Sequence, residues 1–202
     1  MQVSSFFRAA IATCAFALAS QASAAVIYQF DGAGKLSSAK GVSVIGKLYD
    51  VTFVDGSCSS LFGGCDAASD FTFQNLTDAR AAASALLAQV FIDTSAGNFD
   101  TVADKVAGCG IAGQCSTISP YSLNGNTSFN FAYAANYYGA NSQYDTVSND
   151  STTRTTNYSG DTGLGVHFAK FQLSATNVPE PSSIALMGLA FAGLALSRRR
   201  KS

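Results

Sequence analysis

The sequence predicts a β-rich α+β domain with one principal helix, flanked by two short apolar segments that stand apart from it. Three observations carry that expectation. Apolar and polar residues alternate around Val42–Phe53, Phe129–Tyr133 and Val166–Leu173, the period of a half-buried strand. Between Thr77 and Phe91 the apolar residues recur at helical spacing instead. The two continuous apolar runs, Ala9–Ala19 and Ile184–Leu196, lie outside all of these elements.

Taken in order, Arg8 supplies a small positive region, Ala9–Ala19 an apolar one and Ala22-Ser23-Ala24 a small-residue cleavage site. Residues 1–24 therefore read as a secretory signal peptide, with the mature chain starting near Ala25. Cys14 falls inside the apolar run and leaves with it. From there Val42 and Val44, a turn at Gly46, and Tyr49, Val51 and Phe53 describe a hairpin. Asp55-Gly56 ends it and leads into the first pair of cysteines. Phe71-Thr72-Phe73 reads as a short strand. A helix follows from Thr77, with Thr77 as cap, Asp78 in the first turn, and Ala83, Leu86, Leu87, Val90 and Phe91 on one stripe. Gly97 marks its far side. Residues 141–163, dominated by Asn, Ser, Thr, Asp and Gly, read as a loop or as polar, exposed edge strands.

Residues 25–177 have the size of one ordinary domain, long enough to bury a core. They hold seven Lys or Arg against twelve Asp and no Glu, a formal balance near −5. The whole-chain value of −1 hides this, because five of the cations belong to the flanking segments. A lightly charged, acidic surface excludes nucleic acid as a partner, since that needs a basic footprint.

Four cysteines remain after residue 24: Cys58, Cys65, Cys109 and Cys115. An even number in an exported chain points to disulfides. Three connectivities are open; two local loops, 58–65 and 109–115, are the simplest. Closing a loop of about eight residues stabilises a fold by about 2.5 kcal/mol in the chain-entropy account. The competing reading, one zinc ion held by all four, suits tighter ligand pairs than these.

Other chemistry is sparse. His167 is the only histidine and sits in an expected strand, where a structural role outweighs catalysis. No nucleophile elbow, phosphate loop or His-Glu-x-x-His motif occurs. The pairs Asp66/Asp70, Asp100/Asp104 and Asp145/Asp150 have the residue type for glycoside hydrolysis, although a solvated loop carboxylate is the better account of each. Asp93–Asp100 offers oxygen ligands without the EF-hand spacing. Tyr121, Tyr133, Tyr137, Tyr138, Tyr144 and Tyr158 crowd the second half, as strand packing or as a sugar-stacking surface. Neither a catalytic residue, nor a cofactor, nor a metal is expected.

The last segment, 178–202, opens with Val178-Pro179-Glu180-Pro181. The apolar run follows, and then Arg198-Arg199-Arg200-Lys201. Neither proline fits inside a helix, and each biases the residue before it towards extended geometry. A helix over 182–197 would run about 24 Å, against a hydrocarbon core of about 30 Å. A single transmembrane helix of that length is a temporary hold rather than a comfortable span. Four cations beyond it favour a cytoplasmic end, which places residues 25–177 outside as an ectodomain.

This order of breaker, short apolar helix and basic stop resembles the PEP-CTERM sorting signal of exported bacterial proteins. The resemblance implies recognition and cleavage by an exosortase-like membrane enzyme. Leu48–Cys58 is also similar to a recurrent stretch in ectodomains carrying such tails, which have no established activity. The expected function is a non-enzymatic envelope or extracellular-matrix protein, held at least transiently by the membrane and found finally at the cell surface or in the matrix. Exopolysaccharide is a partner by implication of the resemblance only. The alternatives are a carbohydrate-binding module of that matrix and an exported Asp-dependent hydrolase.

Overall fold

In the computed structural model the described residues are 25–110, 113–138, 144–158 and 165–175. The signal-peptide, Pro-Glu-Pro, apolar-helix and basic-tail expectations therefore lie outside them. The elements in chain order are β1 (Ile27–Phe30), β2 (Leu36–Val44), β3 (Lys47–Val54), β4 (Gly56–Ser57) and the single-turn α1 (Cys58–Leu61). Then come α2 (Leu76–Gln89), β5 (Asp93–Thr94), β6 (Gly97–Asn98), β7 (Gln114–Asn124) and β8 (Ser128–Tyr137). Last are β9 (Thr146–Thr153), β10 (Asn157–Tyr158) and β11 (Val166–Leu173).

Seven strands form one mixed sheet in the order β1-β2-β3-β11-β7-β8-β9. Every pairing is antiparallel except β11 with β7. The expected hairpin is β2–β3, closed at Ile45-Gly46 with Val44 opposite Lys47. Both turn residues have positive φ, 48° and 73°, the geometry that suits the right-handed twist of the strands. Glycine takes it freely; Ile45, exposed and β-branched, takes it against its preference.

Strand alternation sorts the core onto two faces. His167, Ala169 and Phe171 of β11, Tyr49, Val51 and Phe53 of β3, and Ala132 and Ala134 of β8 are buried on the face that α2 covers. The alanines of β8 meet Ala79, Ala82, Ala83 and Leu86 of α2, so two small-residue surfaces let helix and sheet approach closely. Phe168, Ile118, Phe129 and Phe131 point the other way, into a second cluster with Phe71 and the Cys58–Cys65 bridge. The short β4–β10 pair lies beside that second cluster.

Two expectations need correction. Phe71-Thr72-Phe73 is not a strand: Phe71 belongs to one cluster and Phe73 to the other, so the segment crosses between faces, tied by the Thr72 hydroxyl donating to the Phe171 carbonyl at 2.7 Å. The helix begins at Leu76, not Thr77. Asn75 is extended (φ −149°, ψ 159°) and its side chain accepts from the Asp78 N–H at 2.9 Å, a better cap than threonine. It ends at Gln89, where Val90 and Phe91 both donate to the Leu86 carbonyl. Part of 141–163 forms the polar edge strand β9, whose Asn, Asp and Thr residues keep a sheet edge solvated. No helix among the described residues is long and apolar enough to cross a membrane.

Candidate functional site

The four cysteines form the two local bridges, Cys58–Cys65 and Cys109–Cys115, each with Cα atoms 5.6 Å apart. A single zinc site built from all four is thereby excluded: the pairs are bonded within themselves and belong to different core clusters. Cys58 starts α1, where Ser57 caps the turn. Its bridge is surrounded by Phe71, Ile118, Phe129 and Phe168, and Arg154 donates to the Cys65 carbonyl at 3.0 Å.

The second bridge has a different setting. The parallel register of β11 on β7 sets His167 beside Thr117, and Cys115 lies two residues before Thr117 on the same strand face. The His167 Nδ1 is 3.2 Å from the Cys109 Sγ and 3.4 Å from the Cys115 Sγ. Its Nε2 is 2.8 Å from the Thr117 Oγ1, a hydroxyl able to donate or accept there. Phe53 presents its ring to the imidazole at 5.3 Å, nearly edge-on.

Gly108 closes the site from above. Its φ is +80°, and a Cβ there would lie 2.5 Å from the Asp55 Oδ1 and 2.7 Å from the His167 Cβ. Only glycine lets the chain pass between those two side chains. His167 is wholly buried, and burial pulls its imidazole down to about 3, partly opposed by a backbone hydrogen bond at Gly108. The ring is therefore neutral at physiological pH and each nitrogen has a neighbour within hydrogen-bonding distance.

Cys109, Cys115 and His167 bring three potential metal-ligand atoms within 4.8 Å of one another. Sequence reasoning placed each residue but not their meeting. His167 is 58 and 52 positions from Cys109 and Cys115, which are themselves bridged 6 apart, and the parallel pairing of β11 on β7 brings it to them.

Asp70 and Asp93 brace loops, whereas the buried Asp100 Oδ1 has no hydrogen-bond partner among the described residues. Asp70 Oδ2 accepts from the Asp66 and Ala67 N–H groups, both at 3.0 Å. Burial alone would raise Asp93, but the Thr101 hydroxyl, the Thr101 and Asp100 amides and nearby Lys105 hold it below its ordinary value. Burial and the Asp93 charge raise Asp100. Burial also raises Asp145, against the bond it accepts from the Tyr137 N–H at 2.7 Å. Asp93 thus ties the segment that follows β6 back to β5. Among the tyrosines, Tyr133 and Tyr158 pack on the second cluster, while Tyr138 and Tyr144 are exposed.

The fold and its bridges define a disulfide-braced α+β domain. A family model described as the PEP-CTERM protein-sorting motif matches residues 177–201, which contain Val178, Pro179, Glu180, Pro181, Arg198, Arg199 and Arg200. The chain therefore carries that sorting motif, which implies in general an exported, membrane-anchored precursor and exosortase processing. No curated protein and no solved structure matches the chain.

Proposed function

We propose that the chain is a non-enzymatic envelope or extracellular-matrix protein, sent out by the general secretory route and cut within its tail by an exosortase-like enzyme. The match of the sorting motif to residues 177–201 carries this reading. Two bridges support it, because disulfides persist in oxidising compartments outside the cytoplasm. The polar edge β9 supports it as well, since a surface-displayed domain must keep its sheet edge from pairing. The test is to replace Pro179-Glu180-Pro181 by alanines in a host that carries the processing enzyme. The membrane-attached precursor should accumulate uncut; a mature C-terminus unchanged by the replacement overturns the reading.

A second reading, a carbohydrate-binding module, has in its favour the exposure of Tyr138 (37%) and Tyr144 (61%), either side of residues 139–143. Binding on a glycan array that disappears in Tyr138→Ala/Tyr144→Ala would favour the module, and silence across acidic and neutral glycans would dismiss it. An exported Asp-dependent hydrolase is dismissed by turnover that survives Asp→Asn at each paired aspartate.

A further inference from the structure

The two bridges close loops of nearly equal length, with sequence separations of 7 and 6. Only one of them has the chain's single histidine against both sulfurs. An imidazole in a core is costly unless its polar atoms are partnered, and an apolar residue would brace the bridge as well. We propose that Cys109, Cys115 and His167 are a redox-gated site for a soft, thiophilic metal ion, Zn(II) or Cu(I), closed while the bridge is intact and open once it is reduced.

The geometry supports this without rearrangement of the sheet. A tetrahedral ion with metal–sulfur bonds of about 2.3 Å and a metal–nitrogen bond of about 2.0 Å sets its ligands about 3.5 Å apart for nitrogen and sulfur, and about 3.8 Å apart for the two sulfurs. The Nδ1 atom already stands 3.2 and 3.4 Å from the sulfurs. Only the sulfurs must part, and Cα atoms 5.6 Å apart allow that by side-chain rotation. Thr117 supplies the outer partner: with Nδ1 facing the ion, Nε2–H donates to the Thr117 Oγ1, fixing tautomer and ring plane. Two thiolates and one imidazole, all three residues buried, satisfy three-coordinate Cu(I); Zn(II) takes one further small ligand.

Opening needs a two-electron reductant, and a dithiol is the class required. Its two thiols are oxidised to its own disulfide, the Cys109–Cys115 bond breaks, and each sulfur leaves as a thiol. The incoming ion displaces both thiol protons to solvent and binds the two thiolates with the neutral imidazole.

The experiment uses the untagged full chain, oxidised or reduced by dithiothreitol, freed of reductant without air, and offered Zn(II) or Cu(I). The reduced chain should bind one equivalent of at least one of these ions and the oxidised chain none. Cys58→Ser/Cys65→Ser should keep this uptake, whereas Thr117→Val, which removes the outer partner of the ring, should weaken it by about 10- to 100-fold and His167→Gln, which removes a ligand, by more. Should a variant fail to fold, X-ray absorption on the wild-type metal complex decides. Imidazole scattering can come only from His167, the single histidine. Sulfur scattering with one imidazole supports the site. No stoichiometric uptake, equal uptake by the oxidised chain, or a spectrum without imidazole overturns it.

Discussion

The Cys58–Cys65 and Cys109–Cys115 bridges are alike in span and unlike in surroundings. The first is packed among phenylalanines and an isoleucine. The second, beneath the face that α2 covers, touches an imidazole held by Thr117, with Asp55 and Gly108 alongside. Loop-closure entropy treats the two as equals. What separates them is the polar group that one of them shields from water, and that difference gives the domain an inert brace on one face and a chemically equipped one on the other.

The sharpest way to break the comparison is to weaken the apolar face alone. Phe168 is wholly buried and packs on Phe62, Phe129 and Tyr158. Phe168→Ala should cost about 3–5 kcal/mol in urea unfolding of the oxidised protein, through lost contacts and the cavity left behind. It should leave the His167 neighbourhood intact, so a changed imidazole environment by NMR would show the faces to be coupled.

Removing each bridge in turn should cost about 2.5 kcal/mol by loop closure. Cys109→Ala/Cys115→Ala should cost about 1–3 kcal/mol more than Cys58→Ala/Cys65→Ala, because it strips neighbours from a buried imidazole. Equal losses for the two double variants would contradict the distinction.

Acid separates the faces with a smaller effect per step. The folded His167 is held near 3, below an unfolded value of about 6.5. Between those limits the unfolded chain binds the proton and the native one does not. Stability of the oxidised protein should therefore be complete above about pH 6.5 and fall by about 1.4 kcal/mol per pH unit below it, until about pH 3. The groups facing the ring are the bridge sulfurs, Thr117, Phe53, Gly108 and, beside Gly108, Asp55. Urea midpoints across pH should show this slope in the wild type and lose it in His167→Gln; a slope that persists in the variant would assign it elsewhere.

The smallest expected change concerns the helix that covers the His167 face. Asn75→Ala removes the N-cap and should cost about 1 kcal/mol. Thr77→Ala should cost less, and the reverse order would restore Thr77 as the cap.

Local chemistry made part of this molecule legible. The β2–β3 hairpin could be read because Val42, Val44, Tyr49, Val51 and Phe53 alternate around Gly46. The sorting tail could be read because prolines, apolar run and cations follow one another directly. Strand β7 could not. Its helix-facing residues include Cys115, Thr117 and Ser119, small or polar, and Pro120 sits just beyond its pairing with β11, which stops at Ile118. There a missing N–H is tolerated and the sequence signal for a strand fades. The His167 cluster was illegible for a related reason: it exists only through that parallel pairing, and no sequence period encodes a contact across 50 residues.

We have proposed that this oxidised domain is exported on a tail that is then processed. Intact mass of the protein recovered from its native cell envelope tests it most directly. The expected mass is that of a chain lacking residues 1–24, cut within the 177–201 motif, and lighter than its reduced form by the hydrogens of two disulfides. A chain that retains both terminal segments, or that carries Cys58, Cys65, Cys109 and Cys115 as free thiols, would contradict it.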